Sequence, residues 1–252
     1  MWRNTRMVVL TAICAALYAA ILIPFKVVPL IPGITEFRPA NAIPVVCSFL
    51  FGPAAAWGSA FGNLIGDFFG GLGPGDFFGF LGNLFYGLVP YLVWEAVTDA
   101  SPVPRSAGGW IGLLLVIALA AMLCATVVGW GLNLLGFHPF TVLGTIALIN
   151  NLVVAVILSP FLLALLHPRI RRARLLYRDL LGPRRPLPRG RAVIGIALLV
   201  LGTAGAFCAG ELIAGGFWVA PWATHRTPSA AFEVGVGLLP LLALAVAGLA
   251  LL

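Results

Sequence analysis

Apolar runs of membrane-spanning length, separated by short turns rich in glycine and proline, constrain this chain more than any other feature. A run of about 20 apolar residues crosses the hydrocarbon core of a bilayer as a helix, and lipid offers no partner to an unpaired backbone group. With 61% hydrophobic and 9% charged residues and a mean hydropathy of +1.07, the chain falls outside the range of soluble domains. The runs are too long and too continuously apolar for a transmembrane barrel, whose strands alternate in polarity over about ten residues. The expected class is therefore an all-α polytopic membrane protein, and the 252 residues leave room for about eight helices. The spans expected are 7–23, 39–51, 54–69, 77–97, 110–134, 141–166, 192–213 and 231–252. Residues 1–20 resemble a signal peptide, but the apolar run continues past its small residues, as an uncleaved first span does.

The formal charge of +7 sets orientation. Nine of the fifteen basic residues are arginines between Arg169 and Arg191. With the N-terminus inside, the inner side carries these nine with Arg3, Arg6 and Arg105, and the outer side only Lys26, Arg38 and Arg226. Both termini are expected to be cytoplasmic, in the plasma membrane. The basic segment offers no groove with aromatics for bases, so nucleic acid is not an expected partner. Anionic lipid is, at about 1 kcal/mol per cationic residue close to the surface, with simple inside retention as the plainer role. The segment also divides the chain into a six-helix core over 1–167, a cytoplasmic linker over 168–191 and a two-helix extension over 192–252.

Polar residues inside the apolar runs mark the candidate site. Between Glu36 and Glu95 lie Arg38, Asn41, Asn63, Asp67, Asp76 and Asn83, interspersed with glycines. An ionisable side chain at the centre of a membrane helix costs about 2.5–3.5 kcal/mol on insertion scales, so such groups face a bundle interior or a wet cavity. Arg38 suits a substrate carboxylate or phosphate, or an internal pair with Glu36 or Asp67. Asp67 suits a substrate amine or hydroxyl, or a structural bond to Arg38 or Asn83. Asn63, one helical turn from Asp67, forms a polar pair with it. Asn83, Tyr86, Asn150 and Asn151 suit hydrogen bonds to a heterocycle, or bonds between helices. Phe77, Phe78 and Phe80 read as ring-stacking groups or as interface anchors, and Trp94 as an anchor. Gly58, Gly62 and Gly66 make one flat helix face.

Other chemistries find little support. Cys14, Cys47, Cys124 and Cys208 lack paired spacing and read as small apolar filler. His138, His167 and His225 form no metal-ligand pattern, and no histidine can be placed beside Ser59. No GxxxxGK[ST] loop occurs, so nucleotide hydrolysis belongs to a partner. No cofactor or metal is expected. A membrane enzyme acting on a lipid or isoprenoid through Asp67 and Asp76, and a substrate-free scaffold, are the alternative readings.

The runs FRPANAIPVV, FGPAAAWGSAFGNLIGDFFGG and FGFLGNLFYGLVPY resemble the substrate-binding S components of energy-coupling factor vitamin transporters, most of all the riboflavin-type and uncharacterised members. The likeness covers about residues 7–166. It implies a six-helix bundle that captures a vitamin or similar metabolite near its outer face, under loops after the first, third and fifth spans. It also implies that small residues of the first span, here Ala12, Ala15, Ala16 and Ala19, contact a transmembrane coupling subunit that rides on two ATPases, and that the S component topples in the membrane to release its cargo. The two C-terminal spans depart from the family pattern.

Overall fold

The computed structural model describes residues 1–26, 28–31, 35–36, 38–182, 187–223 and 230–252. Arg184 and Arg185, and His225 and Arg226, all used in the readings above, lie outside the described residues. Helix α1 (Thr5–Phe25) starts on Asn4, whose side chain accepts from the backbone N–H groups of Arg6 and Met7. A two-stranded antiparallel ribbon follows, β1 (Pro29–Ile31) and β2 (Thr35–Glu36), the one extended element among the described residues of an otherwise helical body. A 3₁₀ turn (Pro39–Asn41) leads into α2 (Ala42–Phe51), then α3 (Pro53–Phe68), α4 (Asp76–Val97), α5 (Ala107–Leu134) and α6 (Phe140–Arg172). After α6 come the short α7 (Tyr177–Leu181), α8 (Arg189–Ala214), α9 (Ala230–Gly237) and α10 (Leu239–Leu251). Six helical stretches are long and apolar enough to cross a membrane. Helices α2 and α3, at 10 and 16 residues, are shorter; sixteen residues rise only about 24 Å.

The short α2 is apolar all round because it sits at the centre. Nine of its ten residues are buried, and α1, α3, α4 and α6 pack about it. Its Ser48 enters the break that Pro90 makes in α4. The hydroxyl donates to the Gly87 carbonyl at 2.6 Å and accepts from the Tyr91 N–H at 3.1 Å, so the groups loosened by a proline inside a membrane helix are answered by a neighbour.

The glycine face of α3 lies on α1. A Cβ placed on Gly62 would sit 2.8 Å from the Ala15 carbonyl oxygen, and one on Gly58 would be 2.9 Å from that of Thr11, so only glycine lets the two backbones meet. At the turn between α2 and α3, Gly52 takes φ +53°, and the Tyr177 ring of α7 covers it. At that same end the Asn4 side chain donates to the Leu180 carbonyl at 3.0 Å, and Arg178 pairs with Glu95 at 3.2 Å. The first part of the arginine-rich segment thus continues α6 to Arg172 and then folds back as α7 across the ends of α1, α2 and α4.

The last helices are attached to the core. Helices α8 and α10 cross closely through Gly202 and Gly248, and α8 packs on α5 and α6. Thr145 of α6 donates to Glu211 of α8 at 2.8 Å, and the Trp130 indole of α5 donates to the Gly235 carbonyl of α9 at 2.9 Å. Phe140 packs on Phe207 and on the backbone at Gly210.

Candidate functional site

The chain direction brings one set of helix ends together: the end of α1, the 3₁₀ turn before α2, the starts of α4 and α6, and the end of α5. Between them is a cavity of about 120 Å³. Its polar lining consists of Tyr18, Arg38, Asn41, Asn83, Asn150 and Asn151, together with Cys124. Val128 and Leu132 of α5 and Leu143, Ile146 and Ala147 of α6 supply the apolar wall. At about 30 Å³ per water, the space takes about four waters' worth of guest. That is less than the ~150 Å³ cavity that admits a benzene ring, so a ring-bearing guest requires the walls to move.

The polar side is a connected network. Asn41 donates to Asn151 Oδ1 at 2.6 Å, and Tyr86, just behind the lining, donates to the Asn151 carbonyl at 3.1 Å. Asn83 donates to the Gly79 carbonyl one turn before it, at 2.9 Å. The Tyr18 hydroxyl lies 3.2 Å from Asn41 Oδ1 and 2.9 Å from Asn83 Oδ1. One hydroxyl proton therefore faces two amide oxygens, and at any instant one of them has room for a donor from a guest. Asn41, Asn83 and Tyr18 are each at most 5% exposed, so the network is held in a medium where an unanswered polar group costs about 1–3 kcal/mol. Arg38 contributes a guanidinium, and among the described lining residues there is no carboxylate.

Five of the eight residues expected from the sequence line the cavity, namely Arg38, Asn41, Asn83, Asn150 and Asn151, and Tyr86 supports them. Asn63 and Asp67 do not line it. Asn63 donates to Asp67, and Asp67 is paired with Lys26 at 2.8 Å, both of these charged side chains being largely buried. The expected bond from Asp67 to Arg38 or Asn83 thus gives way to one with Lys26, because the end of α1 brings that ammonium over the end of α3. The phenylalanines stay outside as well: Phe77 is exposed, Phe78 packs on Trp130, and Phe80 on Trp57 and Phe61. Trp94 is buried and donates to the Ala100 carbonyl at 2.8 Å.

Two lining groups went unread in the sequence. Tyr18 carried a signal, since it shares a helix face with Thr11, Cys14 and Ala15, which meets α3. Cys124 carried none. On α1 the four alanines divide: Ala15 and Ala19 are buried, whereas Ala12 and Ala16 are exposed along with Val9 and Ile13. Among the described residues no group of histidine, cysteine and carboxylate side chains is arranged to hold a metal ion.

A family model described as QueT transporter matches residues 8–168, the part of the chain that builds the cavity. No curated protein and no solved structure matches the chain. The resemblance to S components is borne out by that match, and the enzyme alternative falls with it. The chain therefore belongs to the QueT transporter family and is a multi-pass membrane subunit of the energy-coupling-factor S-component type, a substrate-capture module for uptake and not an enzyme.

Proposed function

We propose that this subunit captures a queuosine precursor in the cavity between α1, α2, α4, α5 and α6 and passes it to a coupling subunit driven by two ATPases. The carrying observation is the cavity itself: one guanidinium, four amides and a tyrosine around about 120 Å³, enclosed in an apolar bundle. Amides both donate and accept, which suits a heterocycle whose edge alternates N–H groups with acceptor atoms. The vitamin class is the second reading, favoured by the resemblance.

Arg3, Arg6, Arg105 and the arginines from Arg169 to Arg178 lie at the end of the bundle opposite the cavity, which supports cytoplasmic termini, a cavity facing outward and a plasma-membrane location. The arginine segment rests on anionic lipid. The 1–167 core captures the guest, α7 of the 168–191 linker caps the inner ends of the helices, and α8 to α10 of the 192–252 extension brace the core. On α1, Ala12 and Ala16 with Val9 and Ile13 face the coupling subunit, and Ala15 and Ala19 face α3.

Calorimetric titration of the purified protein with queuosine precursors and with a vitamin panel decides between the readings. Saturable binding of a queuosine precursor, weakened about tenfold or more by Asn83→Ala, is expected, since lost hydrogen bonds leave buried groups unanswered. Binding of a vitamin alone, or of nothing in either set, overturns the proposal.

A further inference from the structure

A second cavity lies at the opposite end of the molecule from the capture site. It opens between the connection from α4 to α5 and the last turns of α6, has a volume of about 430 Å³, and is lined by Ser101, Val103, Arg105, His167, Pro168, Arg171 and Arg172. Three guanidiniums and an imidazole share it, with no carboxylate among the described lining residues. Carboxylates stand in the adjoining hollow, which shares Ser101, His167 and Arg171 and is lined by Asp99 and Asp179: Asp99 lies 3.6 Å from Arg178, whose guanidinium pairs with Glu95 at 3.2 Å. Among the described residues Arg105, Arg171 and Arg172 belong to no ion pair. His167 is only 7% exposed, yet its imidazole hydrogen-bonds to no described residue and borders the cavity. Like charges held around one hollow repel one another, and an anion seated among them removes that cost.

The depth of this hollow says which anion. On α6 the exposed apolar side chains Phe161 and Leu165 lie about one to three turns before the basic residues, and on α5 Trp110 and Ile111 stand just after Arg105. The lipid-facing band therefore stops where the guanidiniums begin, which is headgroup depth, and Trp110 has the amphipathic side chain favoured there. Val103 and Pro168 add an apolar margin to the cationic hollow.

We propose that this cleft seats the phosphodiester headgroup of an anionic glycerophospholipid, with Arg105, Arg171 and Arg172 around the phosphate and His167 at its base. The proposal rests on the orientation and lipid contact given above and narrows them to one site. The headgroup then ties the start of α5 to the end of α6, two helices that wall the capture cavity at their other ends.

Native mass spectrometry of the full chain released from nanodiscs of phosphatidylcholine doped with phosphatidylglycerol tests the assignment. Selective retention of phosphatidylglycerol is expected, reduced about a hundredfold in Arg105→Gln/Arg171→Gln/Arg172→Gln and about fivefold in Arg105→Gln alone, at the usual strength of a cationic contact to an anionic surface. The variant Arg174→Gln/Arg189→Gln, altered outside the cleft, keeps it. Unchanged retention in the triple and single variants overturns the proposal, as does an equal loss in the Arg174/Arg189 variant, which would make the attraction diffuse. Displacement of the lipid by inorganic phosphate or by an acidic peptide also overturns it, assigning the cleft to a soluble anion or a protein partner. Substrate titration of the same variants reports on the capture cavity separately, so failure of one site is distinguishable from failure of the other.

Discussion

Tyr18 and Asn41 hold the capture cavity together, because each reaches two other polar groups from a different helix. Tyr18→Phe removes the hydroxyl proton that faces two buried amide oxygens while keeping the ring. The expected result is a loss of stability of about 1–3 kcal/mol, read from thermal unfolding in detergent, together with weaker guest binding. Asn41→Ala cuts the link to Asn151 as well and is expected to weaken binding further. An Asn41→Ala protein with wild-type affinity would show that the amide network is structural only. The asparagines were legible in the sequence for a simple reason: an amide inside a membrane span announces a buried partner. Tyr18 carried a weaker sign, its place on one face with Thr11, Cys14 and Ala15, because an aromatic ring on an alanine-rich helix reads equally well as packing. Nor does sequence say which cation reaches Asp67; both Lys26 and Arg38 precede it, and only the path of α1 decides for Lys26.

Between elements, the α1 and α3 contact depends on bare glycine. Gly62→Ala drives a methyl against the Ala15 backbone, and overpacking of this kind costs about 1–3 kcal/mol, visible as a lowered melting temperature. The Lys26 and Asp67 pair closes the other end of the same contact. Lys26→Met leaves a largely buried carboxylate without its cation and is expected to destabilise more than Lys26→Met/Asp67→Asn, a difference that a double-mutant cycle measures directly. The exposed face of α1 gives a third expectation: Ala12→Leu/Ala16→Leu leaves guest binding intact in the isolated subunit but lowers uptake in cells, and unaffected uptake removes these alanines from the coupling surface. Most helix limits could be read from the chain, because prolines and glycines sit at Pro39, Gly52 and Pro53, Gly75 and Gly136. The short α7 could not, since five residues carry too little pattern, and its place is set by Tyr177 on Gly52 and Arg178 on Glu95. The ribbon after α1 has the same origin, its pairing being a matter of backbone register that two or three side chains do not encode.

At the scale of the whole molecule, class and layout follow from hydropathy and from where the arginines lie, whereas the position of α8 to α10 does not. Sequence marks them as spans but is silent on what they touch. The bonds from Thr145 to Glu211 and from Trp130 to Gly235, with Phe140 packed into α8, join them to the two helices that form the apolar side of the capture cavity. That attachment bears on the tilting through which the S-component resemblance implies release. A subunit anchored to two further spans presents a broader keel to the surrounding lipid, and any rotation must push aside more acyl chain. Uptake is therefore expected to slow more steeply as the bilayer is stiffened with saturated chains than it does for a six-span relative, measured side by side in vesicles of graded fluidity.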